Sequence, residues 1–299
     1  MIFLIVIPVT AAIIVLVPQP ALAWGPVTHI ALGMQVLATV ITPDHPLQAA
    51  LLNLPEVFLY GSLAPDIVQG RRLQSRLRRH SHNWDTGLAL LGSASGDQQI
   101  TFAMGYLAHL GADVVAHNFF LPACLIGDFD SGFGSHIYNE ARFDSIQDSG
   151  YMDLLLKLLT LDFSPLDAML DRAVDSPLVP FSAHRMIFEG GLRRIRGWDR
   201  IIKALARPGN IDRRDAEMFA DASCEAIAGL LDRAPKSTIR RLDPMGEQAI
   251  RRASASRRDL QRLARLGPAA GKSARELAGK MLADLRAHLL ETPFRLPVE

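Results

Sequence analysis

Hydrophobic positions along the chain recur at three- and four-residue intervals while strand-like alternation is scarce, so the pattern predicts an all-α fold. Helices are expected at 24–37, where Pro26 suits a first turn, at 105–120 and from Ser135 to Phe143, and a second segment that ends in residues 59–67 follows a Pro-bounded turn carrying His45. Beyond these, helices are expected at 151–161, from Ser164 with Pro165 in its first turn, at 183–206, at 211–233 and through 237–290, where Pro244, Gly267 and Pro268 interrupt. Residues 1–23 differ in kind. Positions 2–17 are almost wholly apolar, a Pro/Gln break follows, and Ala21-Leu22-Ala23 supplies a small-x-small cleavage pattern, which together read as an export signal. A positively charged n-region is missing, so an uncleaved anchor is the alternative; cleavage would make Trp24 the mature N-terminus. Pro177 to Pro180 breaks the helical pattern and marks a boundary. The organisation expected is a signal peptide at 1–23, a helical metal-binding region at 24–176 and a helical region at 177–299, in the same domain or a separate one.

The helix at 105–120 is apolar except for His109, Asp113 and His117, spaced four and four. At 3.6 residues per turn these three share one slowly drifting face, successive members being roughly 6 Å apart along the axis. The two end imidazoles are therefore expected to serve different ions, with Asp113 placed to bridge them. The plainer alternative is a buried helix whose polar side chains are satisfied by neighbours.

Seven of the nine histidines fall between residues 24 and 140, which favours a site over scattered core histidines. His29 lies one turn inside the first mature helix, near the free amine that export would create at Trp24, and both could reach one ion. Asp66 is bracketed by Gly61 and Pro65 among apolar neighbours; its plainer role is to cap the next turn. In His80-Ser81-His82 the alternate imidazoles face opposite ways if the chain is extended, so one of the pair is expected to bind. His136 and Glu140 are again four apart, a spacing that is an ordinary surface contact when it stands alone. His184 and His288 have no such company and read as structural or exposed.

Composition narrows the class. With 299 residues, 49% of them hydrophobic and 21% charged, the chain is globular, and a formal charge of +1 confines any attraction to nucleic acid or membrane to local patches. One such patch is residues 240–299, with thirteen Lys/Arg against seven Asp/Glu. This surface could dock on anionic lipid, although a solvated helix face explains it as well. Cys124 and Cys224 are too few for a disulfide framework and are expected to be unpaired and buried, one bridge being the alternative.

The order Trp24, His29, Asp66, His82, His109, Asp113, His117, His136, Glu140 resembles the secreted zinc-dependent phospholipases C, which share a helical fold with fungal single-strand-specific nucleases. The resemblance covers residues 24 to about 147. It implies that Asp66, His82, His109 and Asp113 hold one zinc, that Trp24 (through its amine and carbonyl), His29 and the shared Asp113 hold its close neighbour, and that His117, His136 and Glu140 hold a third. His82 is preferred over His80 because His82-Asn83-Trp84-Asp85 looks like the family's His-aromatic-x-Asp segment, with Asp85 orienting a ligand. The plain helical four from Asp113 to His117 departs from the family's longer, proline-containing step. Glu140 and Gly61-Ser62-Leu63-Ala64-Pro65-Asp66 lean toward the lipase branch.

Two to three Zn2+ ions imply phosphodiester hydrolysis by zinc-bound hydroxide, with Asp66 orienting the attacking water or accepting its proton. The expected enzyme is an exported phospholipase C-like phosphodiesterase, periplasmic or secreted and possibly membrane-associated, releasing diacylglycerol and a phosphorylated head group. The alternatives are a nuclease or nucleotidase acting on nucleic acid at the same metals, and a non-catalytic envelope protein whose metals only hold the fold. Phe119, Phe120, Trp84 and Tyr60 are candidate substrate-facing aromatics, with core packing as the alternative for the two phenylalanines.

Overall fold

The computed structural model describes residues 24–39, 48–68, 80–131, 143–144, 147–174, 180–205, 213–233, 237–292 and 294. These residues form helices joined by turns, with no strand among them, so the chain is all-α as its periodicity requires. In order they are α1 Pro26–Thr39, α2 Gln48–Asn53, α3 Pro55–Ile67, α4 Trp84–Ser93, α5 Asp97–Val115, a π-helical turn Ala116–Phe120, and α6 Leu121–Gly127. Then follow α7 Ser149–Leu158, α8 Ser164–Ala173, α9 Phe181–Leu205, α10 Arg213–Arg233, a 3-10 turn Thr238–Arg241, α11 Glu247–Ala264 and α12 Pro268–Glu291.

Helix α5 is the axis of the molecule. It is apolar enough over its length, together with the π turn and α6, to cross a membrane, yet nearly all of that stretch is buried inside the protein, as in a core helix. All of Thr101 to Val115 is buried, with α3 and α10 packed most extensively against it. Two glycines set how closely α3 and α5 cross. A Cβ built on Gly105 would lie 3.0 Å from Gly61 Cα, and one on Gly61 would lie 3.1 Å from Gly105 Cα, with the Phe58 and Phe102 carbonyl oxygens nearer still. No side chain larger than hydrogen fits at either position without moving a backbone. Asp66 lies five residues beyond Gly61 and His109 four beyond Gly105, so the closest approach of the helices sits about one turn from both.

The helices after residue 176 pack on the same core. Leu230 of α10 meets α5 at Gly111, where an added Cβ would come within 2.6 Å of Leu230 Cδ1. Arg185 of α9 donates to Asp167 Oδ2 at 3.1 Å and to the Leu159 carbonyl at 2.7 Å, while Tyr60 of α3 donates to Asp167 Oδ1. From α11, Arg257 and Gln261 donate to the Ser131 and Phe129 carbonyls, each at 2.8 Å, and so hold the turn that follows α6. Cys124 and Cys224 are both buried and no disulfide joins them.

Candidate metal centre

Four elements deliver five of the candidate side chains to one point. His29 comes from the first turn of α1, Asp66 from the last turn of α3, His82 from the turn ahead of α4, and His109 and Asp113 from successive turns of α5. Each is 3% exposed or less. His109 Nε2 lies 3.0 Å from His82 Nε2, 3.2 Å from Asp113 Oδ2 and 3.9 Å from Asp66 Oδ1. His82 Nε2 lies 3.3 Å from Asp66 Oδ1 and 3.5 Å from Asp113 Oδ2. Four donors held about 2.0–2.1 Å from a tetrahedral ion are separated by about 3.3 Å along each edge, and these five separations scatter around that value. His29 stands on the other side of Asp113, with Nε2 3.4 Å from Oδ1 and 4.0 Å from Asp66 Oδ2, its ring stacked on His109 at 3.9 Å. The two oxygens of Asp113 thus face different histidines, the arrangement a bridging carboxylate needs.

Hydrogen bonding orients the rings for metal. The Ser62 carbonyl accepts from His109 Nδ1 at 2.8 Å, which places the lone pair on Nε2, inside the cluster. Ser81 Oγ meets His82 Nδ1 at 2.9 Å. His29 Nε2 and Asp113 Oδ2 are buried without a well-formed hydrogen bond, an arrangement that costs free energy unless something else satisfies them. Burial lowers the His29 pKa below its ordinary value and the His109 imidazole adds to this, against the opposing pull of Asp113 and Asp66. Burial alone would raise Asp113, but the His109 and His117 imidazoles outweigh it and hold its pKa well below the ordinary carboxylate value. A neutral imidazole beside an ionised carboxylate is the state in which both bind a cation. The donor set therefore fits zinc, with nitrogen and carboxylate oxygen converging and no thiolate among them.

The remaining candidates are placed as follows. Trp24 is fully buried; its ring stacks on Phe120 at 4.5 Å and its Nε1 donates to the Ala112 carbonyl at 3.1 Å, one residue from Asp113. His117 sits in the π turn with Nδ1 3.9 Å from Asp113 Oδ2, but that nitrogen donates to the Pro244 carbonyl at 2.7 Å. The plain helical step expected after Asp113 is therefore a π turn, a wider local winding common at functional sites. His136 and Glu140 lie outside the described residues, as do His45 and residues 1–23. Asp66 does not cap a following turn; it is inside α3, directly after Pro65, and faces the cluster.

Several expectations are corrected. Asp85 is exposed in the first turn of α4, so Ser81 rather than Asp85 orients His82. The preference for His82 over His80 needs no such change: His82 is buried in the cluster, whereas His80 is half-buried and its Nδ1 accepts from His82 N at 3.2 Å. Tyr60, Trp84 and Phe120 are core: Tyr60 stacks on Phe163 at 4.1 Å, Trp84 Nε1 donates to the Leu242 carbonyl at 2.9 Å, and Phe120 packs on Trp24. Phe119 also lines a cavity of about 540 Å3, with Ile126, Leu242, Ala253, Met281 and Leu285.

Asp144 escaped sequence reading. Its carboxylate accepts from Thr28 N at 2.9 Å, Thr28 Oγ1 at 2.6 Å and Val27 N at 3.3 Å, capping the start of α1 just ahead of His29. Burial raises its pKa to about 6. Its position one helical turn after Glu140 was the available signal. The Ser62 and Pro244 carbonyls carried no signal, because a backbone acceptor has no side-chain identity.

A family model described as zinc dependent phospholipase C matches residues 28–176, the span that carries His29, Asp66, His82, His109, Asp113 and His117. No curated protein and no solved structure matches the chain. With the matched span and the buried His/Asp cluster in agreement, the chain belongs to the zinc-dependent phospholipase C family.

Proposed function

We propose that the protein is an exported phospholipase C that cleaves phospholipids into diacylglycerol and a phosphorylated head group, with Trp24 as its mature N-terminus. The observation that carries this reading is the set of near-tetrahedral separations among Asp66, His82, His109 and Asp113 in a chain of this family. In this reading those four hold one zinc. Trp24, His29 and the shared Asp113 hold a second, and His117, His136 and Glu140 hold a third.

When bound, zinc polarises the phosphoryl group and acidifies water at neutral pH. Asp66 does the proton work: its Oδ1 faces His82 and His109 and its Oδ2 faces His29, so the carboxylate can orient the attacking water and take its proton. Water oxygen bonds to phosphorus, the bond from phosphorus to the glycerol oxygen breaks, and that oxygen leaves protonated as diacylglycerol. The Ser62 carbonyl and Ser81 hydroxyl keep the His109 and His82 rings in register throughout. The lipid reading is supported by an apolar cavity that adjoins Asn118 and Phe119, directly after His117.

The test is to supply zinc-loaded protein beginning at Trp24 with phosphatidylcholine, phosphatidylethanolamine and phosphatidylglycerol in mixed micelles, and with single-stranded DNA in parallel. Release of diacylglycerol that a chelator abolishes and zinc restores is the expected result. Nucleotide release from DNA in place of lipid cleavage would move the activity to a nuclease. Zinc-dependent stabilisation with neither product formed would leave a metal-held, non-catalytic protein.

A further inference from the structure

One nitrogen of His117 is held by a stretch of chain outside residues 28–176. Three consecutive carbonyls there each accept a hydrogen bond from a side chain bordering the metal centre. Leu242 O accepts from Trp84 Nε1 at 2.9 Å, Asp243 O from Asn118 Nδ2 at 2.8 Å, and Pro244 O from His117 Nδ1 at 2.7 Å. The stretch is itself braced: the Asp243 carboxylate accepts from Met245 N at 3.0 Å and Glu247 N at 3.1 Å, and Gly246 N returns to the Asp243 carbonyl at 3.0 Å. Gly246 has a φ of 56°, in the left-handed region, and a Cβ there would lie 2.5 Å from His117 O and 2.6 Å from its carbonyl carbon. Glycine is required at this position twice over, by backbone conformation and by contact with the backbone of His117.

We infer that residues 242–246 form a positioning strap that fixes the ring of His117, so that Nε2 is the nitrogen it offers to zinc. A carbonyl can only accept, so its bond to Nδ1 requires the proton there and the lone pair on Nε2. Without the strap the two neutral tautomers compete and the ring can turn about its side-chain bonds, and such outer partners commonly contribute 10–100-fold in metal affinity. The strap comes from the C-terminal helical region, which is thereby part of the metal site rather than an appendage to it. This inference rests on the proposal that His117 is a zinc ligand.

The test compares His117→Ala, Gly246→Ala and Gly267→Ala in the full mature chain. Gly267 also has a positive φ, 132°, but nothing lies within 4 Å of its Cβ position, so it carries backbone strain without touching the site. Zinc content and affinity are read by competition with a chromophoric chelator, and the His117 tautomer by long-range proton–nitrogen correlation on 15N-histidine protein. Expected are loss of one ion in His117→Ala, a 10–100-fold weaker ion together with loss of the Nδ1–H pattern in Gly246→Ala, and neither change in Gly267→Ala. If Gly246→Ala keeps both the tautomer and the affinity while His117→Ala loses an ion, the strap is overturned and the ligand stands. If His117→Ala keeps every ion, the ligand assignment itself fails and takes the strap with it. Should Gly246→Ala not fold, Trp84→Phe removes the Nε1–H that bonds the Leu242 carbonyl while keeping an aromatic, if smaller, side chain; an unchanged tautomer and zinc affinity there would equally overturn the strap.

Discussion

Replacing Gly105 with alanine adds one methyl group where α3 and α5 touch, and its consequence for metal can be worked out. The new Cβ would sit 3.0 Å from Gly61 Cα, with the Phe58 carbonyl closer. Carbon atoms at rest are about 3.5–4.0 Å apart and a carbonyl oxygen sits only slightly nearer, so the 2.1 Å approach to the Phe58 oxygen makes the helices separate by roughly 1 Å. His109 rides on α5 and Asp66 on α3, about one turn beyond this contact. Their separation of 3.9 Å, already the longest of the five given above, would open toward about 4.5–5 Å. Zinc tolerates deviations of about 0.2 Å in its bonds, so one donor is lost or the helices are drawn back against the clash. Overpacking of this kind costs about 1–3 kcal/mol, offset in part by about 1 kcal/mol from the better helix former. The assay is a zinc competition titration together with the melting temperature, each measured with and without metal. Gly279→Ala is the control, because nothing lies within 4 Å of its Cβ in α12 and only the propensity gain applies. The expected outcome is zinc binding weakened at least tenfold in Gly105→Ala and unchanged in Gly279→Ala. Wild-type zinc affinity in Gly105→Ala would refute the claim that this crossing sets the site.

Two further outcomes follow from the same geometry. Asp113→Asn keeps the shape but not the charge or the second oxygen that faces a different set of histidines; elemental analysis should show at least one zinc fewer, and full content would exclude a bridging role. Asp144, whose pKa burial raises to about 6 from an ordinary 3.8, binds a proton in the folded state at pH values where the unfolded chain has lost it. Its contribution to stability is therefore present below about pH 4 and fades as pH rises through 6, a difference of about 3 kcal/mol. In metal-free Asp144→Asn, denaturant midpoints between pH 4 and 6.5 should lack that component relative to wild type, and identical profiles would remove Asp144 as its source.

Most of the ligand set was legible because helices impose a period. His109, Asp113 and His117 share a face at a spacing of four whatever surrounds them, and the apolar run around them marks a buried helix. His82 was separable from His80 by its neighbours, and the structure indeed turns His82 inward while His80 accepts a local hydrogen bond. Asp66 was harder, since a carboxylate after proline is more often a turn cap. Tyr60, Trp84 and Asp85 were misjudged because closeness in sequence to a ligand does not specify direction: two residues along a helix is more than half a turn.

By itself, the sequence determined an all-α chain, a buried helix bearing three ligand-competent residues and the family to which residues 28–176 belong. These are consequences of local periodicity and residue chemistry, which each segment carries alone. Only the tertiary structure decided which atoms meet. The Gly61–Gly105 crossing brings Asp66 to His109, Asp144 secures the start of α1 from 116 positions downstream, and a turn 127 residues downstream chooses the tautomer of His117. Such relations depend on backbone carbonyls and on the absence of a side chain, neither of which has a residue pattern to read.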